Sequence, residues 1–228
     1  MKHKNPFRDL TKFELILWLC SAVLVTASFL LVPEKDVLTL IASLIGVTAL
    51  IFVAKGYVLG QILCIVFAVF YGIISFFFRY YGEMITYLCM STPMAVSATV
   101  SWLKHPYEQS KEVEVSHING KHIAVVGVLS VVVTAAFYFL LKALNTPNVI
   151  FSTISVTTSF LASALTFLRS PYYALAYAAN DVVLIVLWVL ATIENVAYFP
   201  MIICFSVFFA NDLYGFINWK RMQKRQSA

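Results

Sequence analysis

The sequence predicts an all-α integral membrane protein of about eight transmembrane helices, and three observations support this fold class. Of its 228 residues, 61% are hydrophobic and only 12% are charged, whereas soluble domains carry about 25% charged residues. Eight apolar stretches approach the roughly 20 residues that a membrane-crossing helix needs. The basic residues, which give a net charge of +5, lie at the ends of these stretches. They therefore indicate membrane topology and argue against a nucleic-acid partner.

The eight predicted spans belong to a single transmembrane domain, residues 1–228. Polar or turn-forming residues separate one span from the next, and the bounds follow from these interruptions. The predicted spans are 13–32, 37–54, 57–78, 84–103, 122–142, 149–168, 172–192 and 196–219.

The distribution of Lys and Arg predicts the orientation of these spans in a cell (plasma) membrane. With the N-terminus inside, the outer segments contain Lys35, Arg79 and Lys142 as their only basic residues. Both termini are then cytoplasmic. The inner segments contain Lys2, Lys4, Arg8, Lys12, Lys55, Lys104, Lys111, Lys121, Arg169, Lys220, Arg221, Lys224 and Arg225.

One sizeable polar segment, 104–122, separates the fourth span from the fifth. Its VEVSHI sequence followed by Asn119 and Gly120 predicts a strand that enters a tight hairpin turn. His117 and His122 lie in this solvated segment, where isolated histidines are usually hydrated rather than metal-bound. No metal site is predicted here.

Spans 2–4 and spans 6–8 repeat the same order of features. Each triplet opens with a span rich in small residues and continues through a short inner turn with one basic residue, Lys55 or Arg169. A longer aromatic span follows, and a third span ends in Trp102 or Trp219. Because one span separates the triplets, they share an orientation, as in transporters built from parallel repeats. The predicted arrangement is an extra N-terminal helix followed by a 3+1+3 repeat.

Two Asn-Asp pairs, at 180–181 and 211–212, stand inside apolar runs. At 1.5 Å per residue, their Asp residues lie about 10–14 Å from the inner ends of two antiparallel helices that are adjacent in sequence. A carboxylate at that depth costs several kcal/mol unless it faces a partner or water. The pairs are therefore candidate functional residues.

Aromatic and polar side chains on neighbouring helix faces suggest a cavity around these pairs. Aromatic faces stack on planar rings, and amides and carboxylates bind hydroxyl groups, so the predicted ligand is a ring-bearing polar solute, neutral or cationic. The lining has no Lys or Arg, which argues against a phosphate. Helix packing remains an alternative for the serines, as does a membrane-interface position for Tyr173. The predicted substrate-binding residues are Tyr173, Tyr177, Asn180, Asp181, Asn211, Tyr214, Gln61, Ser155 and Ser159.

No catalytic residues, metal ligands or cofactors are predicted. The cysteines lie in apolar spans without C-x-x-C spacing, and the sequence has neither a phosphate-binding G-x-x-x-x-G-K-[ST] nor an H-E-x-x-H motif. An intramembrane enzyme is disfavoured because no His-rich or Asp-dyad motif has the hydrophilic setting it needs. A membrane receptor that binds a ligand without passing it remains an alternative.

Two stretches resemble the PnuC-type vitamin transporters: FYGIISFFFRYYGEMITYLCMSTPM (70–94), followed by Trp102, and NDLYGFINWKRM (211–222). The resemblance covers spans 2 to 8. It implies a SWEET-like arrangement of two triple-helix bundles joined by a linker helix, uptake of nicotinamide riboside by facilitated diffusion, and a homotrimer. It also implies that accumulation in cells depends on a cytoplasmic kinase that traps the solute.

The family's substrate box, W-x-x-W-x-x-x-N on the second helix of the C-terminal bundle, is altered here. Counted from Arg169 without gaps, its positions hold Ala174, Tyr177 and Asp181. An Asp suits a cationic ring, and nicotinamide riboside is a cation. Relatives with altered boxes carry deoxynucleosides, thiamine or riboflavin, which remain alternative substrates.

Overall fold

The computed structural model describes residues 5–33, 36–77 and 81–228, which form an all-helical bundle. Seven of its helices are long and apolar enough to cross a membrane. The fourth span is a run of three shorter pieces, Tyr81–Ile85, a π-helical turn Thr86–Ser91, and Thr92–Lys104, which we call α4 together. The remaining helices are α1 (Lys12–Leu31), α2 (Val37–Ala54), α3 (Val58–Phe77), α5 (Gly120–Ala143), α6 (Val149–Phe167), α7 (Tyr173–Glu194) and α8 (Phe199–Gln226).

These helices correspond to the predicted spans, so the all-helical membrane fold class is confirmed. Four basic residues used to predict the orientation, Lys2, Lys4, Lys35 and Arg79, lie outside the described residues.

Side-chain caps fix where several helices begin. In α1, Glu14 N donates to Thr11 Oγ1 at 3.2 Å and Thr11 N donates to Glu14 Oε2 at 2.6 Å, a reciprocal capping box. At α2, Thr39 N donates to Asp36 Oδ1 at 3.1 Å. Such caps satisfy backbone N–H groups that have no partner inside the helix.

The predicted hairpin turn at Asn119 and Gly120 is wrong. His122 N donates to Asn119 Oδ1 at 2.9 Å, so Asn119 caps α5 and Gly120 is the first residue of that helix. Asn is a favoured N-cap because its side-chain oxygen accepts from the first turn, and the apolar run that follows propagates a helix. The VEVSHI stretch forms no regular strand, and isolated bridges join Pro106 to Val113 and Tyr57 to Glu112.

The segment 105–119 and both ends of the described chain meet at one end of the bundle, which we call the basic end. Lys111 Nζ lies 2.6 Å from Asp9 Oδ2, and Arg225 pairs with Glu112. Burial, together with the nearby Asp9, Glu112 and Glu14 carboxylates, raises the pKa of Tyr57 at this end to about 12, so its phenol stays neutral.

Helix neighbours define the space in which a site can form. Helices α2, α3 and α4 pack in sequence order, as do α6, α7 and α8, and the two groups meet where α2 contacts α8 and α4 contacts α6. Helix α1 lies against α2 and α8, whereas α5 packs mainly on α6. The two groups of three helices therefore enclose a central space.

The short turns after α2 and α6 have matching geometry. Gly56 has φ 69° and Arg169 has φ 57°, so each helix ends in a left-handed residue. Both carbonyl groups then accept from the segment 105–119: Val113 N donates to Gly56 O at 2.9 Å and Ser116 N donates to Arg169 O at 3.0 Å. One extended segment thus joins both groups of helices at the basic end.

Two buried indoles make a second matching pair of contacts. Trp102 Nε1 on α4 donates to Thr166 O on α6 at 2.9 Å, and Trp219 Nε1 on α8 donates to Val53 O on α2 at 2.9 Å. The two rings also contact each other, with centroids 5.2 Å apart. Each group of helices therefore donates one indole hydrogen bond to the other.

Candidate functional site

A central cavity lies between the two groups of helices and is lined by α2, α3, α4, α6, α7 and α8. Its empty space, counted out to where it meets solvent, is about 830 Å³. The described residues that line it include no Lys, Arg or His. Its polar and aromatic lining is Gln61, Cys64, Phe67, Tyr87, Ser91, Ser159, Ser163, Tyr173, Tyr177, Asn180, Asp181, Phe205, Phe208 and Asp212.

Two carboxyl groups meet in this cavity. Asp181 on α7 and Asp212 on α8 are each 4% exposed, and their side chains interact directly. Asp181 Oδ2 is buried and has no hydrogen-bond partner among the described residues. An acceptor of this kind, buried and directed at a cavity, is suited to a ligand donor or cation.

Asn180 is held in place by α6. Ser155 Oγ donates to Asn180 Oδ1 at 3.1 Å, and Thr158 Oγ1 donates to the same oxygen at 2.9 Å. Since the amide oxygen already accepts two hydrogen bonds, the side chain offers the cavity its NH2 donor. The α6 hydroxyl groups therefore position a neighbouring helix, and Thr158 was not recognised from the sequence.

Two tyrosines on α7 form one wall near the basic end. The Tyr177 hydroxyl lies 3.1 Å from Ser163 Oγ, and its ring is edge-on to Tyr173 with centroids 6.2 Å apart. Tyr173 is 1% exposed and packs edge-on to Trp219 at 4.9 Å. The polar edge of Tyr177 and the flat ring faces suit a planar, hydrogen-bonding ligand.

A second aromatic wall, which was not predicted from the sequence, centres on Tyr87 in the π-helical turn of α4. The Tyr87 ring lies 4.5 Å from Tyr71 and 6.1 Å from Phe67, centroid to centroid, and Phe67 in turn packs at 5.9 Å on Phe208. Pro93 follows this turn and lacks a backbone N–H, which favours a local change of hydrogen-bond register. That proline was the sequence signal that could have located the turn.

The structure places two of the predicted substrate-binding residues away from the cavity. Asn211 Nδ2 donates to Ser21 Oγ on α1 at 2.9 Å, and the Tyr214 hydroxyl donates to Glu14 Oε1 at 2.8 Å. Glu14, 1% exposed, also pairs with Lys55 at 3.1 Å. Asn211 and Tyr214 therefore attach α8 to α1, and their polarity is explained by that contact.

The other predicted residues lie in or next to the cavity. Ser155 stands behind Asn180 and lines a small adjoining void. Asp212 was singled out in the sequence for its depth in the membrane but was not among the predicted binding residues. It also lines the central cavity. The predicted residues that line the cavity itself are Gln61, Ser159, Tyr173, Tyr177, Asn180 and Asp181.

Comparison with known proteins places this architecture in one family. The model of the family described as "Nicotinamide mononucleotide transporter" matches residues 36–221. A curated relative from Neisseria mucosa, described as "Nicotinamide riboside transporter PnuC", is 25% identical over 230 residues, which cover 99% of this chain and 87% of the relative. A solved structure titled "Crystal structure of the Vitamin B3 transporter PnuC" shares the fold, with a TM-score of 0.81 and 24% identity over 95% of this chain and 94% of that chain. Because the family model spans most of the sequence, the chain belongs to the nicotinamide mononucleotide transporter family.

Proposed function

We propose that this protein carries nicotinamide riboside across the membrane by facilitated diffusion. The observation that carries the proposal is the central cavity, which presents aromatic faces, amides and carboxyl groups between the two groups of helices. Aromatic faces stack on the nicotinamide ring, and amide and carboxyl groups bind the ribose hydroxyls and the ring amide. The relative described as a nicotinamide riboside transporter aligns over nearly the whole chain.

The cavity favours the riboside over the mononucleotide. A phosphate group needs Arg, Lys or backbone donors to neutralise it, and the described residues that line the cavity include no cationic side chain. They include Asp181 and Asp212 instead, and a carboxyl group offers a phosphate no opposite charge. The substrate is therefore the species without the phosphate.

The carboxyl pair also favours a cationic ring. The two carboxyl groups interact directly, and a cation beside them stabilises their ionised form. Nicotinamide riboside and thiamine are cations, whereas deoxynucleosides and riboflavin are neutral. Thiamine, deoxynucleosides and riboflavin are the alternative substrates. Of these, thiamine is the one that the carboxyl pair also favours.

We infer that the helices form a SWEET-like 3+1+3 repeat preceded by α1. Its support is the paired geometry at the basic end: left-handed Gly56 and Arg169 close matching turns, and Trp102 and Trp219 make reciprocal hydrogen bonds across the bundle. In this arrangement α5 is the linker helix. Alternating access then follows from movement of one bundle against the other around the central cavity.

The basic end is assigned to the cytoplasm, with the protein in the plasma membrane and both termini inside, because Lys and Arg are enriched in cytoplasmic segments.

We assign a homotrimer from the family resemblance. Helix α5 exposes a long apolar face that another copy or lipid covers, and Val128 and Val131 are 65% and 70% exposed on it. A cytoplasmic kinase that phosphorylates the solute would prevent its return.

A thermal-shift panel on purified protein tests the substrate, because a ligand that binds only the folded state raises its apparent stability. The panel contains nicotinamide riboside, thiamine, riboflavin and a deoxynucleoside. Nicotinamide riboside is expected to give the largest increase in melting temperature. Tyr177→Ala is expected to abolish that shift, whereas Tyr138→Ala, on the exposed face of α5, leaves it intact. If another ring gives the shift and nicotinamide riboside does not, the substrate assignment is wrong.

Counterflow in liposomes tests transport itself. Labelled nicotinamide riboside is expected to exchange into liposomes preloaded with unlabelled solute, and an imposed proton or sodium gradient is expected to leave its final level unchanged. Binding without exchange would identify a receptor. Accumulation driven by an ion gradient would contradict facilitated diffusion.

A further inference from the structure

A second cavity opens at the end of the bundle opposite the basic end. It lies where α4 begins, α5 passes into α6, and α7 approaches its end. Its empty space, counted out to solvent, is about 700 Å³. The residues with polar or aromatic side chains that line it are Tyr81, Glu83, Asn145, Thr146, Asn148, Ser152 and Trp188.

The second cavity repeats the chemistry of the central cavity. Tyr81 and Trp188 supply aromatic rings, Asn145 and Asn148 supply amides, and Glu83 supplies a carboxyl group. Glu83 is the one charged residue among the described residues that line it. None of the ion pairs among the described residues involves Glu83. The cavity is therefore suited to a cationic, ring-bearing solute.

A smaller void lies between the two cavities. It shares Gly82, Glu83 and Ser152 with the second cavity, and it shares Tyr87 and Ser159 with the central cavity. Its empty space, counted in the same way, is about 280 Å³, less than half that of either cavity. Passage between the cavities therefore requires α4 and α6 to separate locally, and the π-helical turn that carries Tyr87 lies at this constriction.

We propose that the second cavity is a binding site for the cationic, ring-bearing solute, occupied before the solute passes the constriction, and that Glu83 selects for its charge. This inference rests on the proposed function. A solute held there lies directly against the void that leads to Asp181 and Asp212, so charge recognition occurs twice along one route. The opposite-charge interaction is strengthened because the Glu83 side chain is only partly exposed to water.

Replacing the charge at position 83 tests this site. Initial uptake is measured in proteoliposomes for nicotinamide riboside and for its reduced dihydro form, which is uncharged and nearly isosteric. Glu83→Gln is expected to raise KM about fivefold for the cation with little change in kcat, and to leave the uncharged form unchanged. Glu83→Asp, which keeps the charge, is expected to recover most of the difference. Glu194→Gln removes another carboxylate, exposed at the end of α7 and outside the cavity lining, and serves as the control.

Transport of the uncharged form reports that the variant protein is folded. An unchanged KM for the cation in Glu83→Gln would overturn the inference. If Glu83→Gln and Glu83→Asp both reduced uptake of the cation and of the uncharged form equally, the inference would also be overturned. Such a result would mean that Glu83 has a structural role, which does not depend on the charge of the solute. If the unmodified protein transports neither solute, the proposed function itself fails, and that result is distinct from a failure of the second site.

Discussion

A carboxyl group among transmembrane helices is costly to ionise unless it faces water, a donor or a cation, and the side chains of Asp181 and Asp212 contact each other in the central cavity. The nearby polar groups are neutral. Asn180 and Tyr177 are held by hydroxyls of α6, and Gln61 faces them from α3. The charge preference of the cavity therefore depends on the carboxyl pair.

Asp181→Asn is expected to weaken binding of a cationic substrate about tenfold or more, equivalent to about 1.4 kcal/mol. The amide keeps the shape and hydrogen-bonding capacity of the side chain but removes the charge. Binding of a neutral nucleoside is expected to change little. Titration calorimetry with both ligand types measures the difference, and equal losses for the two would mean that Asp181 has a structural role.

At this scale, the sequence revealed the residues that are costly to place in a membrane. Asp181 stands out in an apolar run because a bilayer penalises it. Tyr87 and Phe67 do not, since aromatic residues are common in transmembrane helices and nothing in their spacing distinguishes a cavity wall from packing. Tyr214 lies outside the cavity lining, and its hydroxyl donates to Glu14, a partner about 200 residues away in the sequence that periodicity cannot indicate.

At the scale of helices and turns, the basic end depends on residues with unusual backbone conformations. Gly56 has φ 69° at the end of α2, and an added Cβ would lie 2.6 Å from Met222 Cε on α8. Its carbonyl accepts from Val113 N. The turn therefore needs the conformational freedom of glycine, and the end of the flexible Met222 side chain would have to move to accept a Cβ.

Gly56→Ala is expected to destabilise the protein by roughly 1–2 kcal/mol, the cost of a left-handed conformation for a residue with a Cβ, with an additional cost from the contact with Met222. Gly127→Ala is the matched control. That position lies inside α5, and apart from its chain neighbours and the backbone of its own helix no atom of the described residues lies within 4 Å of the added Cβ. The substitution is therefore expected to be neutral or slightly stabilising. Thermal unfolding in detergent compares the two variants, and an unchanged melting temperature for Gly56→Ala would contradict the prediction.

The helices were predictable from hydropathy because each needs about 20 apolar residues to cross the membrane. Two local features were not. The π-helical turn Thr86–Ser91 leaves the hydrophobic pattern of α4 intact, so only Pro93 indicated a break. The prediction of a hairpin at Asn119 was wrong because Asn-Gly occurs both in tight turns and at helix N-termini. The long apolar run that follows favours the helix.

At the scale of the whole molecule, the central cavity exists because two groups of three helices meet at their edges rather than face to face. Helix α2 contacts α8 and α4 contacts α6, which leaves the inner faces of α3 and α7 apart. The repeated order of features in the sequence predicted two such groups. It did not predict that α1 would cover α8, because an apolar helix outside the repeat has no sequence signal for its neighbour.

Binding of the substrate in the central cavity predicts that Cys64 on α3, which lines this cavity, is shielded by bound substrate. With Cys20, Cys89 and Cys204 replaced by Ala, a water-soluble thiol reagent is expected to modify Cys64 from the cavity. Nicotinamide riboside at ten times its Kd is expected to slow this reaction about tenfold, since only the unoccupied cavity reacts. A variant with Cys204 as its one cysteine is the control, because that thiol is 1% exposed and lies outside the cavity lining, so its slow reaction should not depend on substrate. If Cys64 reacts at the same rate while nicotinamide riboside still raises the melting temperature, the substrate binds elsewhere in the molecule and the central cavity is not its site.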